Sequence, residues 1–269
     1  NAVIANRKDK AKQLLTAIPP ADIDALWQDF GDDFFLKQKH HDIAWQTSEI
    51  LANKSTLADN KPVIALRAHS DLALNAVQLF ICTYDQDDLF AATVGVLDHM
   101  GLSVLDATIL TADIDGKPAA LDSYVVIDRY AIQGAERDDI LTNDIRRQTL
   151  TARLMHALKS GESQISARNF TLDGQLKHFT VPTQVQFSEA TSVARTGHHM
   201  MSLITKDRPA LLARLGLIFS RLGIEVHGAR ITTLGERAED VFYLSDKDGQ
   251  TLSADKLNTL KIAVIEALA

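Results

Sequence analysis

An α+β fold made of two copies of one β-α-β-β-α-β unit, with a small helical region ahead of them, is what the sequence predicts. The first observation is a duplication: residues 83–111 (TYDQDDLFAATVGVLDHMGLSVLDATILT) return at 205–233 (TKDRPALLARLGLIFSRLGIEVHGARITT). At an offset of 122 the copies share Thr83/Thr205, Asp85/Asp207, Leu89/Leu211, Ala91/Ala213, Gly101/Gly223, Val104/Val226, Ala107/Ala229, Ile109/Ile231 and Thr111/Thr233, positions where a common backbone needs turns, caps and core residues. The second observation is an order of periodicities, two, then 3.6, then two, inside each copy.

The second copy shows the elements most clearly. Met201, Leu203 and Thr205 alternate as a strand would and run to Asp207, an expected helix N-cap, with Pro209 suited to the first helical turn. Leu211, Leu215, Ile218 and Leu222 recur at helical spacing, Leu212 and Phe219 widen the stripe, and Gly223 stops the helix. A strand over 224–234 follows, whose apolar parity changes around Gly228, as it does around Asp106 in the first copy. Two readings fit that change, a β-bulge or a strand buried on both faces.

A third strand aligns 122–126 with 240–244 at an offset of 118, so the first hairpin is longer. Asp115-Gly116 is its expected turn in one copy and Gly235 in the other. Helices are expected over about 138–160 and 253–268. A late strand over 183–187 completes the first copy. The second copy has no such strand, which leaves a sheet position for the isolated strand at 63–68 to fill, unless that strand extends the edge of one copy.

Residues 1–60 have no counterpart in the repeats. Ile4, Leu14 and Leu15 fit a helix ended by Pro19-Pro20; a second carries Ile23, Leu26, Trp27 and Phe30 inward and is broken by Gly31; a third spans 42–51, with Ile43, Ala44, Thr47, Ile50 and Leu51 packed. Residues 54–61 read as a polar linker. The chain starts at Asn1 within a helical pattern, as a piece of a longer protein would. The expected domains are 1–60, 61–190 and 191–269.

Composition narrows the function classes. The 269 residues are 46% hydrophobic with a net charge of −7, enough for packed cores and unsuited to nucleic acid or anionic membrane as main partner. A single cysteine, Cys82, rules out a disulfide framework and points to a reducing cytoplasm. Several residues resemble catalytic groups without their context. His41-Asp42 lacks the further ligands of a metal phosphohydrolase site. Asp22-Ile23-Asp24 and Asp113-Ile114-Asp115 sit where Asp favours caps and turns. His198-His199 is expected to be solvated, and Cys82 to be core.

The segments Asp207-Arg208-Pro209 with Leu211-Leu212, and His227-Gly228-Ala229-Arg230-Ile231, resemble the ACT domain, a ferredoxin-like small-molecule sensing module usually found in pairs. More narrowly, DLFAATVGVLDHMGLSVLDA, ALDSYVV, LKHFTVPTQVQF and LLARLGLIFSRLGIEVHGARITTLGERAED are similar to the C-terminal region of bifunctional PII uridylyltransferase/uridylyl-removing enzymes. Two positions depart from the pattern, Ala210 where Gly is usual and Asp87 where Pro is usual.

A ligand is expected at the turn from first strand to first helix, where backbone N–H groups suit a carboxylate. The candidates are Asp85, Gln86, Asp88, Leu89 and Phe90 with Leu105, Asp106 and Ala107 in the first copy, and Asp207, Arg208, Ala210, Leu211 and Leu212 with His227, Gly228 and Ala229 in the second. Asp85 and Asp207 are alternatively plain caps. The resemblance implies L-glutamine as effector, the PII protein and the parent's nucleotidyltransferase and HD domains as partners, and no cofactor in this chain. It places Mg²⁺ in the parent's catalytic domains, residues 1–60 as a connector after the HD domain, and no catalysis in this chain alone. Self-association through the ACT sheets, and a docking role without a metabolite, stay open.

Overall fold

A computed structural model describes residues 2–69, 76–84, 88–129, 139–160, 181–189, 197–208, 210–234 and 236–268. Helices α1 (Ala2–Leu14), α2 (Pro20–Trp27), α3 (Asp32–Lys37), α4 (His40–Ala52) and α5 (Lys54–Ala58) come first. The first repeat follows as β1 (Val63–Ala68), β2 (Val77–Tyr84), α6 (Leu89–His99), β3 (Leu102–Ile114), β4 (Lys117–Asp128) and α7 (Asp144–Ser160). The second comprises β5 (Gln184–Glu189), β6 (His199–Lys206), α8 (Leu211–Arg221), β7 (Ile224–Leu234), β8 (Arg237–Asp246) and α9 (Ala254–Ala267). The fold is the expected mixed α+β class, with an eight-stranded sheet. Among the described residues no helix is long and apolar enough to cross a membrane.

The chain divides into two compact units. One holds Asn1–Asp85 and Thr108–Tyr124, the other Gln86–Ala107 and Val125–Ala269. In the first, the strands run β1-β2-β4-β3, and the helices bury Ile23, Trp27, Phe30, Phe34, Phe35, Ile43 and Ile50 in one core with Val63, Phe80, Cys82, Leu110 and Leu121. Trp27 packs edge-on to Phe35 at 5.4 Å and donates its indole N–H to Thr47 at 2.9 Å, so its polar end is satisfied inside the core. The polar stretch after α4 is not simply a linker: its first residues coil as α5 and bury Leu57.

The polar residues of this unit do structural work. Asp42 accepts hydrogen bonds from Arg67 at 2.6 Å and from Gln78 at 2.9 Å, and the Arg67 guanidinium lies 4.1 Å from the Trp45 ring centre. The His-Asp dipeptide therefore anchors α4 to β1 and β2. Cys82 is buried on β2, where burial, reinforced by Asp122, pushes its thiol up to about 12. A thiol so held is a core residue, not a nucleophile. The hairpin between β3 and β4 turns at Asp115 (φ 52°) and Gly116 (φ 74°), the paired positive φ of a type I′ turn.

In the second unit the strands run β3-β7-β8-β6-β5. Burial alternates strictly along β6, and Gly223, at φ 59°, ends α8 as expected. The parity change in β7 is a bulge: Val226 pairs with Leu244 and Gly228 with Tyr243, leaving His227 as the extra residue. Helix α7 starts six residues later than expected, because the Asn143 side chain accepts the Arg146 N–H at 3.0 Å and caps it there. Gly235 and Pro209 lie outside the described residues.

One connectivity differs from expectation. The strand near 183–187 does not complete the first copy; as β5 it pairs antiparallel with β6, from Gln184 opposite Ile204 to Glu189 opposite His199. The isolated strand β1 pairs with β2 in the same sense, from Val63 opposite Cys82 to Ala68 opposite Val77. Each copy thus takes its edge strand from the segment that precedes it. The alternation of Val185 and Phe187 inward with polar residues outward suits an edge, and which neighbour it chooses is decided by tertiary pairing, not by its own residues.

Candidate ligand-binding site

Helix α8 begins with an unusual backbone. Its N-cap position is Ala210, at φ 59° and ψ 23°, with no side-chain capping bond. Asp88, the equivalent residue 122 positions earlier, precedes α6 at φ 66°. Asp207 is therefore not the cap; its N–H donates to the Glu236 carbonyl at 2.8 Å, fixing the end of β6 to the start of β8. A left-handed Ala is strained by about 1–2 kcal/mol, so the backbone geometry at 210 accounts for Gly being usual there and leaves Ala210 strained. Ala210→Gly should raise stability by about 0.5–1 kcal/mol, the strain relieved less the added freedom of the unfolded chain; an unchanged or lowered denaturation midpoint would contradict this.

This turn borders a pocket of about 230 Å³ in the second unit. Its walls come from both repeats. Asp207, Arg208, Ala210, Leu211 and Leu212 form one side, and Val94 and Asp98 of α6, Leu102 to Val104 of β3, and Arg129 form the other. Ile231 and Thr233 of β7 with Ala238 of β8 make its floor. The volume lies below the roughly 300–1,000 Å³ of drug-sized sites, which favours a ligand of amino-acid size.

The mouth carries opposed charges. Burial raises the Asp207 carboxyl, against a hydrogen bond from the Arg208 N–H and the nearby Arg129 charge, while Asp98 adds to the rise. Arg129 donates to the Asp98 carbonyl at 3.0 Å and reaches its carboxylate at 3.4 Å. Arg208 donates to the Leu268 carbonyl at 2.7 Å, and burial lowers its guanidinium. Two carboxylates, Asp98 and Asp207, and two guanidiniums, Arg129 and Arg208, beside Leu102, Ile231 and Ala238 suit the ammonium, carboxylate and side chain of a zwitterionic amino acid.

The remaining sequence candidates lie elsewhere. Asp85 and Gln86 are outside the described residues. Leu89 and Phe90 open α6, Phe90 buried. Leu105 and Asp106 are half-buried on β3, and Asp106 lies 3.8 Å from Arg230. Ala107 and Gly228 are neighbours: a Cβ on Gly228 would come within 3.1 Å of the Ala107 carbonyl oxygen, so the glycine permits close strand approach. Ala229 is buried. The bulge does re-aim His227, but toward the Ser245 hydroxyl at 2.7 Å and into a stack with His198 at 3.9 Å. His198 and His199 are accordingly buried, not solvated, and His199 accepts the Leu252 N–H at 3.1 Å. Among the described residues no group of three or more His, Cys, Asp or Glu side chains is placed to hold a metal.

Comparison with known proteins bears on the whole length. Residues 1–49 match the family described as the uridylyltransferase GlnD fifth domain. The bifunctional uridylyltransferase/uridylyl-removing enzyme of Psychrobacter arcticus is 46% identical over 251 residues, 91% of this chain and 26% of that protein. The chain belongs to this family. The enzyme of the same description from Acinetobacter baumannii is 38% identical over 271 residues, 98% of this chain and 29% of its own length. The chain thus spans about a quarter of the length of these bifunctional enzymes. Among solved structures, an aspartate kinase from Synechocystis aligns over 72% of this chain and 27% of its own at a TM-score of 0.36 and 14% identity, a likeness that bears no weight for function.

The pocket residues that the sequence did not reveal are those of the first copy, above all Asp98, Ser103 and Arg129, together with Ile231, Thr233 and Ala238 of the second. Reading the two copies in parallel puts one site at each strand-to-helix turn. The structure instead sets the second copy's turn against the end of the first copy's helix, and no local pattern encodes that.

Proposed function

We propose that this chain is the amino-acid-sensing regulatory region of a bifunctional uridylyltransferase/uridylyl-removing enzyme, with L-glutamine as the effector in the pocket of the second unit. The observation that carries the reading is the pocket's mouth, where Asp207 and Arg129 present opposite charges above an apolar floor. The ammonium of the ligand pairs with Asp207. Its carboxylate meets Arg129 and the N–H groups of the first turn of α8, where the helix dipole adds to the attraction.

The activities regulated in the whole protein are UMP transfer to the PII protein and its hydrolytic removal. The catalytic domains that carry them, with the Mg²⁺ they need, lie outside this chain. Glutamine acts only by binding one arrangement of the domains better than another, since equal affinity for both shifts nothing.

Titration calorimetry of the 269-residue chain with L-glutamine, L-glutamate and glycine tests this. The expected result is saturable binding of glutamine, with glycine much weaker, and a loss of at least tenfold in Asp207→Ala. A folded chain that gives no heat at millimolar glutamine overturns the reading and favours a docking module that contacts the catalytic domains or PII without a metabolite.

A further inference from the structure

The floor of the pocket is built from cross-strand pairs of β7 and β8. Thr233 lies opposite Ala238, and Ile231 opposite Asp240. Directly opposed residues in an antiparallel pair share a face, and three of these four line the pocket. The fourth, Asp240, lies on the same face, two residues along β8 from Ala238 and opposite Ile231, just behind the lining. It is 1% exposed.

Its carboxyl group is incompletely satisfied. Oδ1 accepts a long hydrogen bond from the Thr232 N–H at 3.4 Å, and Oδ2 has no hydrogen-bond partner among the described residues. On the other side of β8 its opposite residue is the fully buried Leu203, so no solvation replaces the missing bond. The charged groups about the site are Asp207 and Arg208 from the turn before α8, Asp98 from α6 and Arg129 after β4. Asp207 is the one that acts on Asp240 directly, and it opposes ionisation.

We propose that Asp240 closes the pocket as a specificity residue, selecting a ligand that ends in an uncharged carboxamide over one that ends in a carboxylate. The inference rests on the amino-acid-binding reading above. A carboxamide N–H donates to Oδ2 and supplies the missing bond. A ligand carboxylate offers only acceptors to an acceptor, and its charge adds to those of Asp207 and Asp240. Protonated Asp240 tolerates that carboxylate by donating its own O–H; ionised Asp240 excludes it. Discrimination therefore grows with pH.

Calorimetric affinities of L-glutamine and L-glutamate at pH 6 and pH 8, for the 269-residue chain and for Asp240→Asn, test the inference. The glutamate side chain, with an ordinary value of about 4.3, is ionised at both. In the wild type the ratio of glutamine to glutamate affinity is expected to rise at least tenfold from pH 6 to pH 8. In Asp240→Asn it should be the same at both and at least tenfold lower than wild type at pH 8. Glutamine binding with a ratio that neither pH nor the substitution changes overturns the role of Asp240 alone; a chain that binds neither amino acid overturns both readings. Should the variant not fold, the wild-type pH series decides.

Discussion

Asp240→Asn raises the melting temperature at pH 8 by several degrees more than it does at pH 5. Burial, reinforced by the charge of Asp207 and opposed by the Thr232 N–H, pushes the Asp240 carboxyl up to about 7. A carboxyl whose folded value is raised contributes stability below its unfolded value, near 3.9, and loses it as pH rises through the folded value. At about 1.4 kcal/mol per unit, the wild type forfeits roughly 4 kcal/mol across that window, of which roughly 2.5 kcal/mol falls between pH 5 and pH 8. Asn has nearly the same shape and does not titrate, so the variant escapes the loss. For a chain of this size the difference amounts to roughly 5–10 °C. Melting curves of the two proteins across pH 5–8 check this, and parallel dependences would show that Asp240 does not titrate in this range.

Gly216→Leu is expected to destabilise the second unit by more than about 3 kcal/mol, because no rotamer can relieve the clash. A Cβ at Gly216 of α8 would stand 2.9 Å from the Ala91 Cα and 3.1 Å from its Cβ on α6, where the obstacle is backbone. Even Gly216→Ala should destabilise, although Ala is favoured over Gly by about 1 kcal/mol in a free helix. The helices that would have to part also carry pocket residues, Val94 and Asp98 on α6 and Leu211 and Leu212 on α8. Glutamine affinity should therefore fall together with stability. Urea denaturation of both variants is decisive: an Ala variant more stable than wild type would mean that the two helices have room to spare.

The sequence disclosed what local chemistry encodes. The bounds of β7, the stop at Gly223 and the Asp115-Gly116 turn were all legible, since each depends on residues adjacent in the chain. The parity change around Gly228 was visible too, although the side chain it re-aims, His227, meets Ser245 and His198 and not the pocket. Other features depend on partners distant in sequence. Nothing in QVQFSE says that β5 joins β6, and nothing near Arg129 says that it faces Asp207. The left-handed backbone at Ala210 was half visible. The resemblance marked it as a position where Gly is usual, and the positive φ accounts for that preference.

The preceding position of β1 and β5 has a consequence for synthesis. In each repeat the edge strand leaves the ribosome before the strand it will flank. β6 can zip onto β5 as it emerges, long before β8 arrives to cover its other side. A unit whose flanking strand came last would hold an open, hydrogen-bond-hungry edge until its final residues were made, the condition in which nascent chains pair with the wrong neighbour. In this chain a truncation that removes residues 181–189 recreates that hazard for the second repeat, while a cut just before them spares it.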